Sequence, residues 1–221
     1  MAEFAWWPGP RSWIPRAGPT LVLLAGLSSL WVSPSSGQVQ RTVGFHLGQV
    51  RSHQLWSGPI STETAHGFSV GVNVDVPTPV SALSIRAELG YVGRGSVIWD
   101  GELDPERLAA VNVKSHYVSI PIQGKVSFRL GPAAAYLVAG PTIDQLLETQ
   151  CTQGFCRVLS EEKPTVFSVT VGSGVSVDFQ NRFRGDLEVR WTEGLTDAYL
   201  SNSSGIRYRS LEFLLRACLP F

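Results

Sequence analysis

The segment from Phe167 to Phe179, F-S-V-T-V-G-S-G-V-S-V-D-F, constrains the fold of this chain more than any other stretch. Its odd-numbered positions carry Phe, Val and one Ser, whereas its even-numbered positions carry only Ser, Thr, Gly and Asp178. Side chains of a β-strand alternate between its two faces, while a helix would scatter both sets around its circumference. The segment is therefore predicted to be a strand with one apolar face and one small, polar face. The pattern leaves open which face meets water.

Seven further segments alternate in the same way, so eight strands are predicted. They lie at residues 43–47, 68–76, 83–91, 118–129, 133–147, 186–191 and 210–221, and the fifth of these is apolar on both faces near Leu137 and Val138. No long amphipathic helix interrupts them. Only 16% of the residues are charged and the net charge is zero, so no basic field exists to attract nucleic acid. The pattern predicts an all-β fold.

The connections between these strands alternate in length. Long connections are predicted at residues 52–65, 95–114, 148–164 and 194–206, and short ones at residues 77–82, 131–132 and 180–182. The alternation places all long connections at one end of the sheet and all turns at the other. It predicts an antiparallel, up-and-down barrel with one rim of long loops.

The direction of the apolar face separates two kinds of barrel. A soluble lipocalin-like barrel that binds a small apolar ligand would point this face inward. The polar faces, however, mix Gly, Ser and Thr with charges of both signs, which suits pairing inside a narrow lumen better than a solvated surface. The predicted lumen charge network consists of Arg86, Glu88, Lys125, Arg129, Asp178, Asp186, Glu188, Arg190, Glu212 and Arg216.

Aromatic residues near the strand ends favour the same inverted arrangement. Tyr91 and Phe167 lie by long connections, and Phe128, Phe179 and Phe183 lie by short ones, as in the two aromatic girdles of a membrane barrel. Lipid offers no hydrogen-bond partners, so a sheet that crosses it must close on itself. An eight-stranded transmembrane barrel has an interior that side chains fill, which argues against a wide pore.

The first 37 residues differ in kind from the rest. Two Arg precede the apolar run from Leu21 to Val32, which is too short for a transmembrane helix, and small residues follow before Gln38. This order predicts a secretory signal peptide over residues 1–37 and an exported barrel domain over residues 38–221.

Four segments of the chain carry a resemblance to a known family. They are Glu88–Gly95 (ELGYVGRG), Tyr117–Pro121 (YVSIP), Tyr136–Pro141 (YLVAGP) and Gly185–Trp191 (GDLEVRW). In this order they resemble the outer membrane β-barrel domain family of porin-like proteins, related in architecture to OmpA- and OmpX-like eight-stranded barrels. The resemblance implies a bacterial outer-membrane location and no particular activity. The terminal Phe221 resembles the signal that the barrel-assembly machinery reads.

The resulting expectation is an integral outer-membrane barrel of structural or surface-interaction type, without enzymatic activity. Its partners would be outer-membrane lipid and, during biogenesis, the barrel-assembly machinery, and it would be a monomer with extracellular long loops. The alternatives are an outer-membrane lipid-modifying enzyme, for which His116 is the best candidate residue, and the soluble lipocalin-like barrel. No residue pattern predicts a catalytic group, a cofactor or a metal.

Two loop features remain as candidate sites. Cys151 and Cys156 lie in the third long connection of an exported chain, so a disulfide is the favoured interpretation over free or metal-binding thiols. An acidic run in the second long connection, at Asp100, Glu102, Asp104 and Glu106, is compatible with a divalent cation, but a solvated loop or a short capped helix is the commoner outcome.

Overall fold

A computed structural model describes residues 41–56, 62–99, 110–151, 161–179, 183–201 and 204–221. Ten strands lie in these ranges: β1 (Thr42–Trp56), β2 (Thr62–Pro77), β3 (Leu83–Trp99), β4 (Ala110–Leu130), β5 (Ala133–Cys151), β6 (Glu161–Glu162), β7 (Thr165–Phe179), β8 (Phe183–Gly194), β9 (Tyr199–Ser201) and β10 (Ser204–Pro220). The predicted signal peptide and the acidic run lie outside the described residues.

Eight of these strands form a closed antiparallel barrel. They follow the order β1-β2-β3-β4-β5-β7-β8-β10, and β10 pairs with β1 from Thr42↔Pro220 to Trp56↔Ile206. The short strands β6 and β9 pair with each other, and β9 also pairs with β10. The described part of the chain contains no helix long and apolar enough to cross a membrane. The predicted eight-stranded, up-and-down barrel is confirmed.

The predicted strand at residues 167–179 is β7, and it points its apolar face outward. Phe167, Val171 and Val175 are each about half exposed, whereas Ser168 and Thr170 are buried inside the barrel. An ideal Cβ at Gly174 would lie 2.4 Å from the ring of Tyr136 on the adjacent strand β5. The inner face of β7 therefore carries mainly small side chains, because large side chains of other strands occupy the lumen beside it.

The strands at the long-loop end are longer than the alternation predicts. Strand β1 continues to Trp56 and β2 begins at Thr62, so most of the connection predicted over residues 52–65 is paired strand. Strand β3 likewise continues to Trp99. The prediction of these three boundaries was wrong because alternation is visible in the sequence only where one face of a strand contacts an apolar phase. In the extensions of β1 and β3 apolar and polar residues no longer alternate regularly, so the sequence signal disappears although the backbone still pairs.

The short-turn end follows the prediction closely. Strands β4 and β5 are joined by the two-residue turn Gly131-Pro132, in which Gly131 has φ = 69°. Residues with a Cβ rarely adopt this left-handed backbone conformation, so glycine is favoured at this position. In the turn between β2 and β3, the Thr78 hydroxyl donates a 2.8 Å hydrogen bond to the carbonyl oxygen of Leu83.

Candidate functional site

The lumen near the short turns is filled by a network of buried ion pairs. Arg86 lies at its centre and donates two hydrogen bonds to Asp75, at 2.7 and 3.1 Å, and one of 2.7 Å to Glu188. The side chain of Lys125 donates to the same Asp75 carboxylate at 3.1 Å. Charge-assisted hydrogen bonds of this kind satisfy groups that burial would otherwise destabilise.

Glu188 connects the two halves of this network. One oxygen accepts hydrogen bonds from Arg86, from the Tyr136 hydroxyl at 2.7 Å and from Arg216 at 3.2 Å, while the other accepts from Arg190. Arg190 and Arg216 both also pair with Glu88. The strands β3, β5, β8 and β10 are thus joined across the barrel by side chains.

A second, smaller group of charges lies nearer the long loops. Arg94 of β3 donates a 2.5 Å hydrogen bond to Asp144 of β5 and lies 3.6 Å from Glu212 of β10. The Ser168 hydroxyl of β7 donates to the same Asp144 oxygen at 3.2 Å. The interior at this level is therefore also occupied.

Tyrosine hydroxyls occupy the lumen at the long-loop end. Tyr199 of β9 is fully buried and lies 2.5 Å from the Ser115 hydroxyl of β4, and Tyr208 of β10 lies 3.0 Å from the same group. Gln54 of β1 donates to the Tyr208 hydroxyl at 2.9 Å. Tyr199 and Tyr208 belong to a buried apolar cluster that includes Val50. A residue from the β8–β10 connection thus closes this end of the lumen.

Positive and negative charges in the interior balance. Among the described residues, the ion-paired interior cations are Arg86, Arg94, Lys125, Arg184, Arg190 and Arg216, and the anions are Asp75, Glu88, Asp144, Asp186, Glu188 and Glu212. Six charges of each sign, held within hydrogen-bonding or ion-pairing distance, fill the lumen with side chains and leave it without an open pore.

Eight of the ten residues of the predicted lumen charge network are buried in the interior. The other two, Arg129 and Asp178, are exposed near the short turns, because they lie close to the ends of their strands. The prediction missed Asp75, although it has the parity of the polar face of β2. It also missed Arg94 and Asp144, because β3 was expected to end at Tyr91 and the alternation in β5 was unclear.

The outer wall of the barrel is apolar. Exposed large apolar side chains lie on strands around the barrel, for example Phe45 of β1, Leu89 of β3, Leu187 of β8 and Leu215 of β10. An apolar exterior and a charged interior are the arrangement of a barrel surrounded by lipid. The lipocalin-like alternative, which requires the opposite arrangement, is therefore wrong.

Aromatic side chains lie at both ends of this apolar wall. The ring of Tyr91 on β3 contacts that of Phe68 on β2 and that of His116 on β4, with ring centroids 5.1 and 5.6 Å apart, respectively. At the short-turn end, the rings of Phe179 and Phe183 lie 5.6 Å apart. Such rings suit the interface between lipid and water.

The remaining candidate residues are placed as follows. Nδ1 of His116 and the Tyr91 hydroxyl form a hydrogen bond. Within the described part of the chain, His116 has no hydrogen bond to a serine or a carboxylate. Cys151 ends β5, and its proposed partner Cys156 lies outside the described residues. The backbone N–H of Phe221 donates to the carbonyl oxygen of Arg41 at 3.0 Å. The described residues contain no cluster suited to a metal ion.

Solved structures share this architecture. Neisserial surface protein A is 16% identical, with 82% of this chain and 97% of that chain covered and a TM-score of 0.51. The outer membrane protein OprG from Pseudomonas aeruginosa is 8% identical, with 84% and 98% covered and a TM-score of 0.57. The outer membrane enzyme PagL is 13% identical, with 81% and 99% covered and a TM-score of 0.45. The likenesses to Neisserial surface protein A and OprG show the fold.

The family follows from the sequence itself. Comparison with curated protein sequences gives no match. The family model described as "Outer membrane protein beta-barrel domain" matches residues 33–200, which is well over half of the chain. The barrel, its apolar exterior and its filled lumen agree with that match. The chain therefore belongs to the outer membrane β-barrel domain family and is an integral β-barrel protein of the bacterial outer membrane.

Proposed function

We propose that this protein acts through its surface, as a structural or adhesive element of the outer membrane, and neither conducts solutes nor catalyses a reaction. The observation that carries this proposal is the filled lumen, in which twelve charged side chains pair with one another and Tyr199 closes the long-loop end. Such an interior holds the barrel rigid and leaves the loops as the variable, partner-facing part.

The orientation that we propose places the long connections outside the cell. In barrels of this class short turns face the periplasm and longer loops face outward. The chain would enter the periplasm by its signal peptide at residues 1–37, and the barrel-assembly machinery would read the terminal Phe221. It would then reside in the membrane as a monomer, because the barrel has no free edge strand to pair with a second copy.

Conductance of the purified protein in planar lipid bilayers tests the proposal. The wild-type protein is expected to show no stable channel steps. A useful positive control replaces Glu88 and Arg190 together with Ser, which keeps the charge balance and removes side chains from the interior. Steady wild-type conductance equal to that of this double variant would contradict the proposal.

Protease accessibility in intact cells tests the orientation. A protease site inserted within residues 100–109 should be cleaved from outside. The matched insertion after Pro79, in the turn between β2 and β3, should be cleaved only after the outer membrane is permeabilised. The reverse result would place the long connections in the periplasm.

The enzymatic alternative rests on His116, which bonds to Tyr91 on the lipid-facing wall. We expect the replacement His116→Ala to leave the lipid composition of the outer membrane unchanged relative to cells that express the wild-type protein. A change seen with the wild-type protein and lost in this variant would instead favour a lipid-modifying enzyme.

A further inference from the structure

The outer wall changes from apolar to basic at one level on adjacent strands. Along β10 toward the long loops, Arg209 comes after the apolar side chains of Phe213 and Leu211. Arg209 pairs in register with His53 of β1. One step nearer the membrane, Arg51 of β1 pairs with Leu211 on one side and with His66 of β2 on the other. Basic groups of three neighbouring strands thus meet just above the apolar wall, on the side of the long loops.

These strands enclose a recess of about 290 Å³ on the outer surface. Its basic wall consists of Arg51, His53, His66 and Arg209, and its aromatic wall is Trp191. We name this feature the basic recess. It is separate from the lumen network, because its charged side chains lie on the outward face of their strands.

Nearby carboxylates neutralise only one of the two arginines of the basic recess. Arg51 has no ion-pair partner among the described residues, and its guanidinium lies 5.9 Å from the ring centre of Phe213. Arg209 pairs with Glu193 at 2.6 and 2.9 Å and lies 5.2 Å above the ring of Trp191. Two arginines therefore face one carboxylate, so the recess has a net positive charge.

A hydrogen bond from Gln49 determines which ring nitrogen of His66 can donate to a ligand. The amide nitrogen of Gln49 lies 3.3 Å from Nδ1 of His66, and an amide nitrogen donates but does not accept. Nδ1 is then the acceptor, which leaves the proton of a neutral ring on Nε2. The basic recess thus combines two guanidinium groups with an imidazole N–H, a set suited to phosphate oxygens.

The other side of the barrel is different at the same level. There the outward side chains of β3 and β4 are Tyr91 and His116, which bond to each other, and Glu148 of β5 lies beside His116 in register. Lys114 of β4 is also exposed toward the long loops, but basic groups of three neighbouring strands meet in the basic recess. A general attraction to an anionic membrane surface does not require basic groups to lie together at one place. Binding of a single anionic headgroup does require it.

We propose that the basic recess binds a phosphate group of an anionic glycolipid in the outer leaflet. The inference rests on the proposed orientation, in which the long loops lie outside the cell. The phosphate would contact Arg51 and Arg209, and the acyl chains of the same molecule would lie against the apolar side chains below, such as Phe213 and Leu211. The continuity between the charged recess and the apolar wall favours a lipid over a soluble anion.

Binding of diphosphoryl lipid A to the purified protein in neutral detergent micelles, followed by native mass spectrometry, tests this inference. The replacements Arg51→Gln and Arg209→Gln should each weaken binding about tenfold, the usual effect of losing a charge-assisted contact. The matched control is Arg129→Gln, which removes an exposed arginine at the short-turn end and should leave binding unchanged. Heat-modifiable gel mobility verifies that each variant is folded.

A fourth variant separates recognition from structural support. The replacement Glu193→Gln frees Arg209 from its carboxylate and should strengthen binding several-fold, although it removes an ion pair from the protein. Lipid A without its phosphates should bind at least tenfold more weakly than the diphosphoryl form, and an excess of inorganic phosphate should not displace the bound lipid.

Three results would overturn the inference. They are equal losses in Arg51→Gln and Arg129→Gln, equal binding of the phosphate-free lipid, and full displacement by inorganic phosphate, which would indicate a free-anion site. Binding in micelles does not depend on orientation in the cell. A failure here is therefore distinct from a failure of the protease-accessibility test, which bears on the proposed function alone.

Discussion

The replacement Glu188→Gln tests whether the lumen network stabilises the barrel. The substitution keeps the shape of the side chain and removes the charge that Arg86, Arg190 and Arg216 share. The Tyr136 hydroxyl also donates to this carboxylate, at 2.7 Å. The variant leaves three guanidinium groups with one fewer anion in a site that is buried from solvent.

The expected cost is about 3–5 kcal/mol in the free energy of unfolding, which is typical when one partner of a buried ion pair is removed. With a denaturant dependence of about 2 kcal/mol per molar urea, the unfolding midpoint should fall by about 2 M. The comparison variant is Glu193→Gln, whose carboxylate pairs with Arg209 on the outer surface and keeps 28% of its side-chain surface exposed. Its cost should be at most about 1 kcal/mol.

Urea titration of the barrel in lipid vesicles, read by the loss of heat-modifiable gel mobility, measures both variants. Adding Arg190→Gln to Glu188→Gln restores the charge balance of the interior, so the double variant should be less destabilised than the sum of the two single ones. If Glu188→Gln lowers the midpoint no more than Glu193→Gln does, the network does not stabilise the barrel and the reasoning is refuted.

Three other predictions concern packing, assembly and the loops. The replacement Gly174→Ala should cost about 1–3 kcal/mol, because its Cβ would lie 2.4 Å from the Tyr136 ring, and an unchanged urea midpoint would show that the ring moves aside freely. Deletion of Phe221 should reduce the amount of protein in the outer membrane at constant expression, and unchanged levels on immunoblots would contradict its role as an assembly signal. A disulfide between Cys151 and Cys156 should appear in non-reducing peptide mass spectra of the exported protein; alkylation of both thiols without reduction would disprove it.

The sequence predicts the architecture well because the signal for a membrane barrel is local. Each lipid-spanning strand must turn every second side chain toward an apolar phase, and β7 shows this alternation along residues 167–179. The same alternation places Glu88, Arg190 and Arg216 on the inner face without any knowledge of their partners. Closure then follows from the requirement that no backbone group remain unpaired in lipid.

The parts that the sequence does not predict depend on strand register and on distance across the barrel. Strand alternation does not show that Arg86 of β3 meets Glu188 of β8, because these residues are far apart in the chain and become neighbours only when the sheet closes. The insertion of Tyr199 from a connecting segment has no periodic signal at all. The strand ends were misplaced because the extensions of β1 and β3 lack a regular alternation of apolar and polar residues.

The alternating sequence by itself determined the eight barrel strands and their two faces, since side chains two residues apart share a face. The mixed charges of the polar face and the aromatic residues at the strand ends indicated which face meets lipid. The tertiary structure decided which charges pair inside, that Asp75 and Asp144 belong among them, and that Arg51, His66 and Arg209 lie together outside. Those arrangements depend on how adjacent strands are staggered when the barrel closes, and that stagger is set by the packing of the whole lumen.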